Sequence, residues 1–134
     1  MVKLNKIYTR TGDDGTTGLV DGSRIAKSAP LMAAIGDVDE ANSAVGFAAA
    51  ALPAGTREAA MLERIQNELF DLGADLATPA DVQFGFGPHD MALRIVPSQI
   101  ARLEDEIDRM NDDLDALRSF ILPGGTEAAA RLHL

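Results

Sequence analysis

Between Tyr8 and Lys27 the chain reads YTRTGDDGTTGLVDGSRIAK, which gathers four glycines, five Ser/Thr hydroxyls and three cationic side chains into twenty residues. Gly12, Gly15, Gly18 and Gly22 permit backbone conformations with positive φ and let N–H groups come close to a ligand. Arg10, Lys27 and the hydroxyls of Thr9, Thr11, Thr16 and Thr17 add further donors. Such a set suits an anion, and the phosphates of a nucleotide are the obvious case. The spacing fits neither a Walker A loop nor the dinucleotide fingerprint GxGxxG. The same composition also suits a solvated N-terminal leader or a pair of β-turns, with Asp-Asp-Gly as an ordinary turn signal.

Charge singles out the same stretch without deciding between these readings. The whole chain carries a formal charge of −9, which argues against binding nucleic acid or an anionic membrane. Residues 1–27 nevertheless hold five Lys/Arg against three Asp, whereas the rest has seven Lys/Arg against eighteen Asp/Glu. The locally basic stretch is therefore the glycine-rich one.

Other constellations are weaker. The chain has no cysteine and only two histidines, His89 and His133, neither in an ExxH or HExxH pair, so no metal site is expected. The run DVDEANS, Asp37 to Ser43, lacks the glycine and the fifth-position ligand of a calcium loop. Placed on a helix, Asp39, Asn42 and Ser43 share one side, either as a solvated polar face or as part of a site.

The elements that must hold these residues are helical. Leu31 to Leu52 is alanine-rich and proline-free, with Leu31, Ile35, Val38 and Val45 at helical spacing, and Pro53 and Gly55 stop it. Thr56 N-caps a second helix in which Leu62, Ile65, Leu69, Leu72 and Leu76 step by three and four. Pro79 ends it, and a breaker-rich connection through ADVQFGFGPHDMALRIV follows. Pro97 and Ser98 open a third helix whose seam runs Ile100, Leu103, Ile107, Met110, Leu114 and Leu117. After FILPGG, Thr126 and Glu127 start a fourth helix through EAAARLHL. The expected fold is all-α, an up-and-down helical bundle with an irregular N-terminal loop, in one domain of 134 residues. Within it, residues 1–30 form the N-terminal nucleotide-binding segment and 31–134 the bundle. Two turns of a fourth helix cover the apolar stripes poorly, so the chain is expected to oligomerise or to lack a C-terminal part. With no secretory leader pattern and no apolar run near the roughly 20 residues that span a bilayer, a soluble, cytoplasmic protein is expected.

The blocks KIYTRTGDDGTTGL, GDVDEANSAVGFA, IQNELFDLGADLA and FILPGGTEAAARLHL resemble, in order, those of the ATP:cob(I)alamin adenosyltransferases of the propanediol-utilisation type. The resemblance covers nearly the whole chain and implies a five-helix bundle, usually assembled as a homotrimer with active sites between subunits. The implied activity is transfer of the 5′-deoxyadenosyl group of ATP to cob(I)alamin, giving adenosylcobalamin and triphosphate, with Mg²⁺ accompanying the nucleotide. It implies that Thr9, Arg10, Thr11 and Gly12 wrap the triphosphate, that Thr17 and Gly18 add contacts, and that Lys27 supplies a cation. Asp39 matches an acidic residue that pairs with an arginine across the interface, and Asn42 supports the ATP region. Phe120 matches an aromatic position near the lower face of the corrin, against a plain alternative of core packing after a helix end. Two departures stand out: Asp14 replaces the family's lysine, and the arginine-rich helix that follows LHL in the family is absent from this sequence. The second departure implies a C-terminally truncated bundle. It keeps open an alternative function as a non-catalytic ATP- or corrinoid-binding module or a helical assembly module.

Overall fold

The computed structural model describes residues 7–82 and 92–134. The chain forms a short hairpin followed by four helices: β1 (Thr16–Gly18), β2 (Arg24–Ala26), α1 (Pro30–Ala49), α2 (Arg57–Leu76), α3 (Pro97–Asn111) and α4 (Glu127–Leu132). The sequence breakers lie close to the observed ends. Pro30 occupies the first turn of α1, where its missing N–H leaves nothing unsatisfied. Thr56 and Thr126 cap α2 and α4 by accepting the N–H of Ala59 and Ala129. At the start of α3 the Gln99 side chain accepts the N–H of Val96 at 2.8 Å.

Two elements differ from expectation. The N-terminal segment is not irregular throughout, because β1 and β2 pair antiparallel with Thr17 opposite Ile25. Its turn is set by Asp21, whose Oδ1 accepts both the N–H and the hydroxyl of Ser23, and by Gly22 at φ 83°. α3 stops at Asn111, so Leu114 and Leu117 leave the seam and are exposed at 67% and 76%. Asp112, Asp113 and Asp115 follow at once, and carboxylates at a helix C-terminus oppose the macrodipole. Nothing buries the two leucines to offset that penalty.

α1 and α2 pack antiparallel, since Asn42 bonds Gln66 while Ile35 and Gly73 border one groove. α2 and α3 run antiparallel too, fastened by the Arg64–Glu106 and Arg102–Glu68 ion pairs. α4 lies on α1, where Arg131 donates to the Phe47 carbonyl at 2.6 Å and stands 4.1 Å over the Phe47 ring. Among the described residues the buried apolar side chains are Ala48, Met61 and Ala128; the two alanines let α1 and α4 approach closely, and the flexible Met61 fills space from α2. Phe70, Ile100 and Ile107 remain exposed on α2 and α3.

The C-terminus of α2 is an anchoring point. Arg94 donates to Asp75 Oδ1 at 2.7 Å and to the carbonyls of Thr78, Pro79 and Val82 in the turn that follows the helix. The N–H of Ile95 completes the clasp on Asp75 Oδ2. On the other side of the same end, Val20 N–H donates to Ala77 O at 3.1 Å and ties the hairpin to the bundle.

Candidate functional site

The hairpin fixes a loop that is otherwise made of turn formers. Lys27 N–H donates to Gly15 O at 2.9 Å, closing the loop from Gly15 onward against β2. Arg24 reaches back from β2, donating through Nη2 to Thr11 O at 2.7 Å and through Nε to Thr16 Oγ1 at 2.9 Å. Asp14 Oδ1 accepts the Thr16 N–H at 2.9 Å and its hydroxyl at 2.8 Å, with Arg24 at 3.6 Å. These Thr16 bonds and the Arg24 charge hold the Asp14 carboxyl below its ordinary pKa; the Ser23 bonds do the same for Asp21. Asp14 therefore organises the turn, and its carboxylate is already engaged by neighbours within the loop.

Two features of the loop are constrained. Arg10 has φ 61°, a left-handed conformation unusual for a residue with a side chain. Its guanidinium stands 5.5 Å over the Tyr8 ring, and the adjoining Thr9 and Thr11 hydroxyls meet at 2.9 Å. Gly12 in turn has no room for a side chain: an added Cβ would lie 2.8 Å from Thr16 O and 3.0 Å from Lys27 Nζ. The glycine thus leaves room for the Lys27 side chain to lie against the loop backbone.

Ala26 O accepts Ala29 N–H, so β2 leads almost directly into α1. Asp39 lies nine residues beyond Pro30, roughly 13 Å along the helix at about 1.5 Å per residue. It is exposed, whereas Asn42, one turn on, is buried. Both border two adjoining grooves between α1 and α2. One, of about 330 Å³, is mostly apolar and bordered by Ile35, Leu69 and Phe70; the other, of about 360 Å³, adds Ser43, Gln66 and Asn67. Ser43 directs its hydroxyl to Asp39 O within the helix.

Phe120 lies in the segment 112–125 and is fully exposed, so packing into the core of this chain is not what holds it. His89 falls outside the described residues. Among the described residues no group of three or more His, Asp or Glu could hold a metal ion, and no helix is long and apolar enough to cross a membrane.

The structure brings Thr9, Arg10, Thr11, Gly12 and Lys27 into one loop and Asp39 with Asn42 onto one groove. Thr17 and Gly18 lie on β1 opposite Ile25 and Arg24, and Phe120 stands apart. Sequence reasoning missed Arg24 as the organiser of the loop and Gln66 as the partner of Asn42. Asp21-Gly22 between two short Thr/Ile-containing runs was the available hairpin signal for Arg24.

A family model described as cobalamin adenosyltransferase matches residues 7–134. A corrinoid adenosyltransferase of Mycobacterium tuberculosis is 50% identical over 133 residues, covering 99% of this chain and 67% of that protein. The corrinoid adenosyltransferase PduO of Salmonella typhimurium is 42% identical over 127 residues, covering 95% of this chain and 36% of that protein. A variant PduO-type ATP:corrinoid adenosyltransferase from Lactobacillus reuteri, solved in complex with cobalamin and ATP, superposes with a TM-score of 0.78 at 40% identity. That superposition covers 96% of this chain and 68% of the solved one. The chain thus spans about two thirds of the length of the mycobacterial relative and of the solved structure.

Proposed function

Because the chain belongs to the cobalamin adenosyltransferase family, we propose that it is a corrinoid adenosyltransferase, transferring the 5′-deoxyadenosyl group of ATP to cob(I)alamin. The Co(I) electron pair attacks C5′ of ATP, the cobalt–carbon bond forms, and the C5′–O bond breaks with its electrons leaving on triphosphate. The nucleophile is supplied by the corrinoid substrate, so the protein's work is positioning and electrostatic stabilisation of the leaving group.

The observation that carries the proposal is the loop in which Lys27 Nζ lies 3.0 Å from where a Gly12 Cβ would be. Thr9, Arg10, Thr11 and Gly12 wrap the triphosphate, Thr17 and Gly18 extend the contact surface, and Lys27 neutralises the charge that grows as triphosphate departs. Arg24 and Asp14 hold this loop in shape from within. Asp39 and Asn42 order the nucleotide region from α1, Asp39 by pairing with a cation across a subunit interface. Phe120, whose ring is free of contacts in the single chain, is the group offered to the lower face of the corrin. There it displaces the axial ligand and eases reduction of the metal of the substrate. Mg²⁺ accompanies the triphosphate of the nucleotide. The exposed Phe70, Ile100 and Ile107 support assembly, as a homotrimer with the sites between subunits. The compartment is the cytoplasm, where ATP is available.

The test combines the protein, MgATP and chemically reduced cob(I)alamin. Adenosylation is followed by the change in the corrin spectrum and by release of triphosphate in equal amount. Absence of both, with the helical fold intact by circular dichroism, would refute the proposal.

A further inference from the structure

α1 and α2 exchange a pair of hydrogen bonds that neither helix needs for its own integrity. Asn42 Nδ2 donates to Gln66 O at 3.0 Å, and Gln66 Nε2 donates back to Asn42 O at 3.2 Å. Both carbonyls lie inside helices whose ladders already supply N–H donors, so the two amides serve the register between the helices. The arrangement rests on two local choices that are unfavourable by themselves. Gly46, one turn after Asn42, is a poor helix former, yet a Cβ there would sit 2.5 Å from Gln66 Nε2. Asn42 is 9% exposed, and with its Nδ2 committed to Gln66 its Oδ1 is buried without a partner. Buried acceptors are seldom left so, and packing alone would select an apolar side chain at this position.

Both choices converge on the turn of α1 that carries Asp39. Asp39, Asn42 and Gln66 border the same groove. We infer that Gln66 is a positioning residue: acting from α2 through the Asn42 backbone, it sets the rotation and axial register of α1 and so the direction in which Asp39 and Asn42 meet the nucleotide. Gly46 is the opening through which it acts. The inference rests on the reading in which Asp39 and Asn42 serve ATP, and Gln66 itself touches no substrate.

The first arm of the test asks whether the bridge exists, by thermal melting. Gly46→Ala lowers the melting temperature when Gln66 is present and raises it, or leaves it unchanged, in the Gln66→Ala background, where only the gain in helix propensity remains. Equal losses in both backgrounds would overturn the bridge. The second arm asks whether the bridge positions. Gln66→Met keeps length and apolar volume but has no donor, and Gln66→Glu keeps the outline with an acceptor facing the Asn42 carbonyl. Calorimetric titration with ATP is expected to show about tenfold weaker binding for each, with KM for ATP raised alike and KM for cob(I)alamin within twofold. If either variant retains the fold and binds ATP as the wild type does, Gln66 only fastens two helices and the inference fails. Wild-type protein that binds ATP but makes no adenosylcobalamin would remove the functional reading alone, because calorimetry still decides this one. Wild-type protein that binds no ATP would remove both.

Discussion

Gly12→Ala is the most informative single change in the loop. The added Cβ would stand 2.8 Å from Thr16 O and 3.0 to 3.1 Å from Nζ and Cε of Lys27. Ordinary contact begins near 3.4 Å, so the overlap with Thr16 O is about 0.6 Å, and that oxygen belongs to backbone paired into β1. Lysine can swing away, but the carbonyl can move only by shifting the strand or the loop. Forcing a methyl into such a contact costs about 1–3 kcal/mol, which is roughly a 5- to 150-fold loss if all of it falls on the ATP-competent loop. The loop lies at the surface and can relax, so about tenfold weaker ATP binding is the expected result by calorimetry, with unchanged helix content. Because the hard contact is with main chain, removing the Lys27 side chain brings no relief, so the loss in Gly12→Ala should add to that of Lys27→Ala in the double variant. Wild-type ATP affinity in Gly12→Ala would refute the reasoning that this glycine is required by close backbone approach.

Four further outcomes follow from named residues. Lys27→Ala should weaken ATP binding by about tenfold at low salt, and the deficit should shrink as ionic strength rises, as expected for an exposed charge; calorimetry at two salt concentrations checks it. Arg94→Ala removes one donor set from Asp75 and three carbonyls and should destabilise the fold by about 2 kcal/mol, given partial exposure, in a urea melt. Asp75, held below its ordinary pKa first by the Ile95 N–H and then by Arg94, contributes stability that is present above the unfolded carboxylate value. It is lost as pH falls through the folded value, so the melting temperature of Asp75→Asn should depend less on pH below about pH 4 than that of the wild type. Phe120→Ala should change stability by less than about 0.5 kcal/mol, since the ring touches no core, while adenosylation that starts from cob(II)alamin and a reductant falls; a large loss of melting temperature with normal turnover in that assay would contradict the proposed role.

The helical architecture was legible because its determinants are local. Thr56 and Thr126 cap where a threonine ahead of an apolar-periodic run should cap, and Pro30, Pro53 and Pro97 punctuate the helices as their geometry demands. The three-and-four steps of Leu62, Ile65, Leu69 and Leu72 marked the face that packs. Periodicity overreached at Leu114 and Leu117, because it counts apolar spacing and is blind to the acidic residues that end α3. The hairpin escaped notice for the opposite reason: three-residue strands are too short to display alternation.

At the candidate site the division is similar. The residue types of the glycine-rich stretch, and their order relative to the Asp39 and Phe120 blocks, were sufficient by themselves to indicate the family, because motif order is a property of the chain. Sequence could not tell that Asp14 is engaged by Thr16 and Arg24, that Gly12 is held free of a side chain by the Thr16 carbonyl and Lys27, or that Gln66 enters beside Gly46 to grip Asn42. Each of these is a contact between groups separated along the chain by a turn, a strand or a helix. Spacing along a sequence specifies which face a residue occupies, and only packing specifies what stands opposite it.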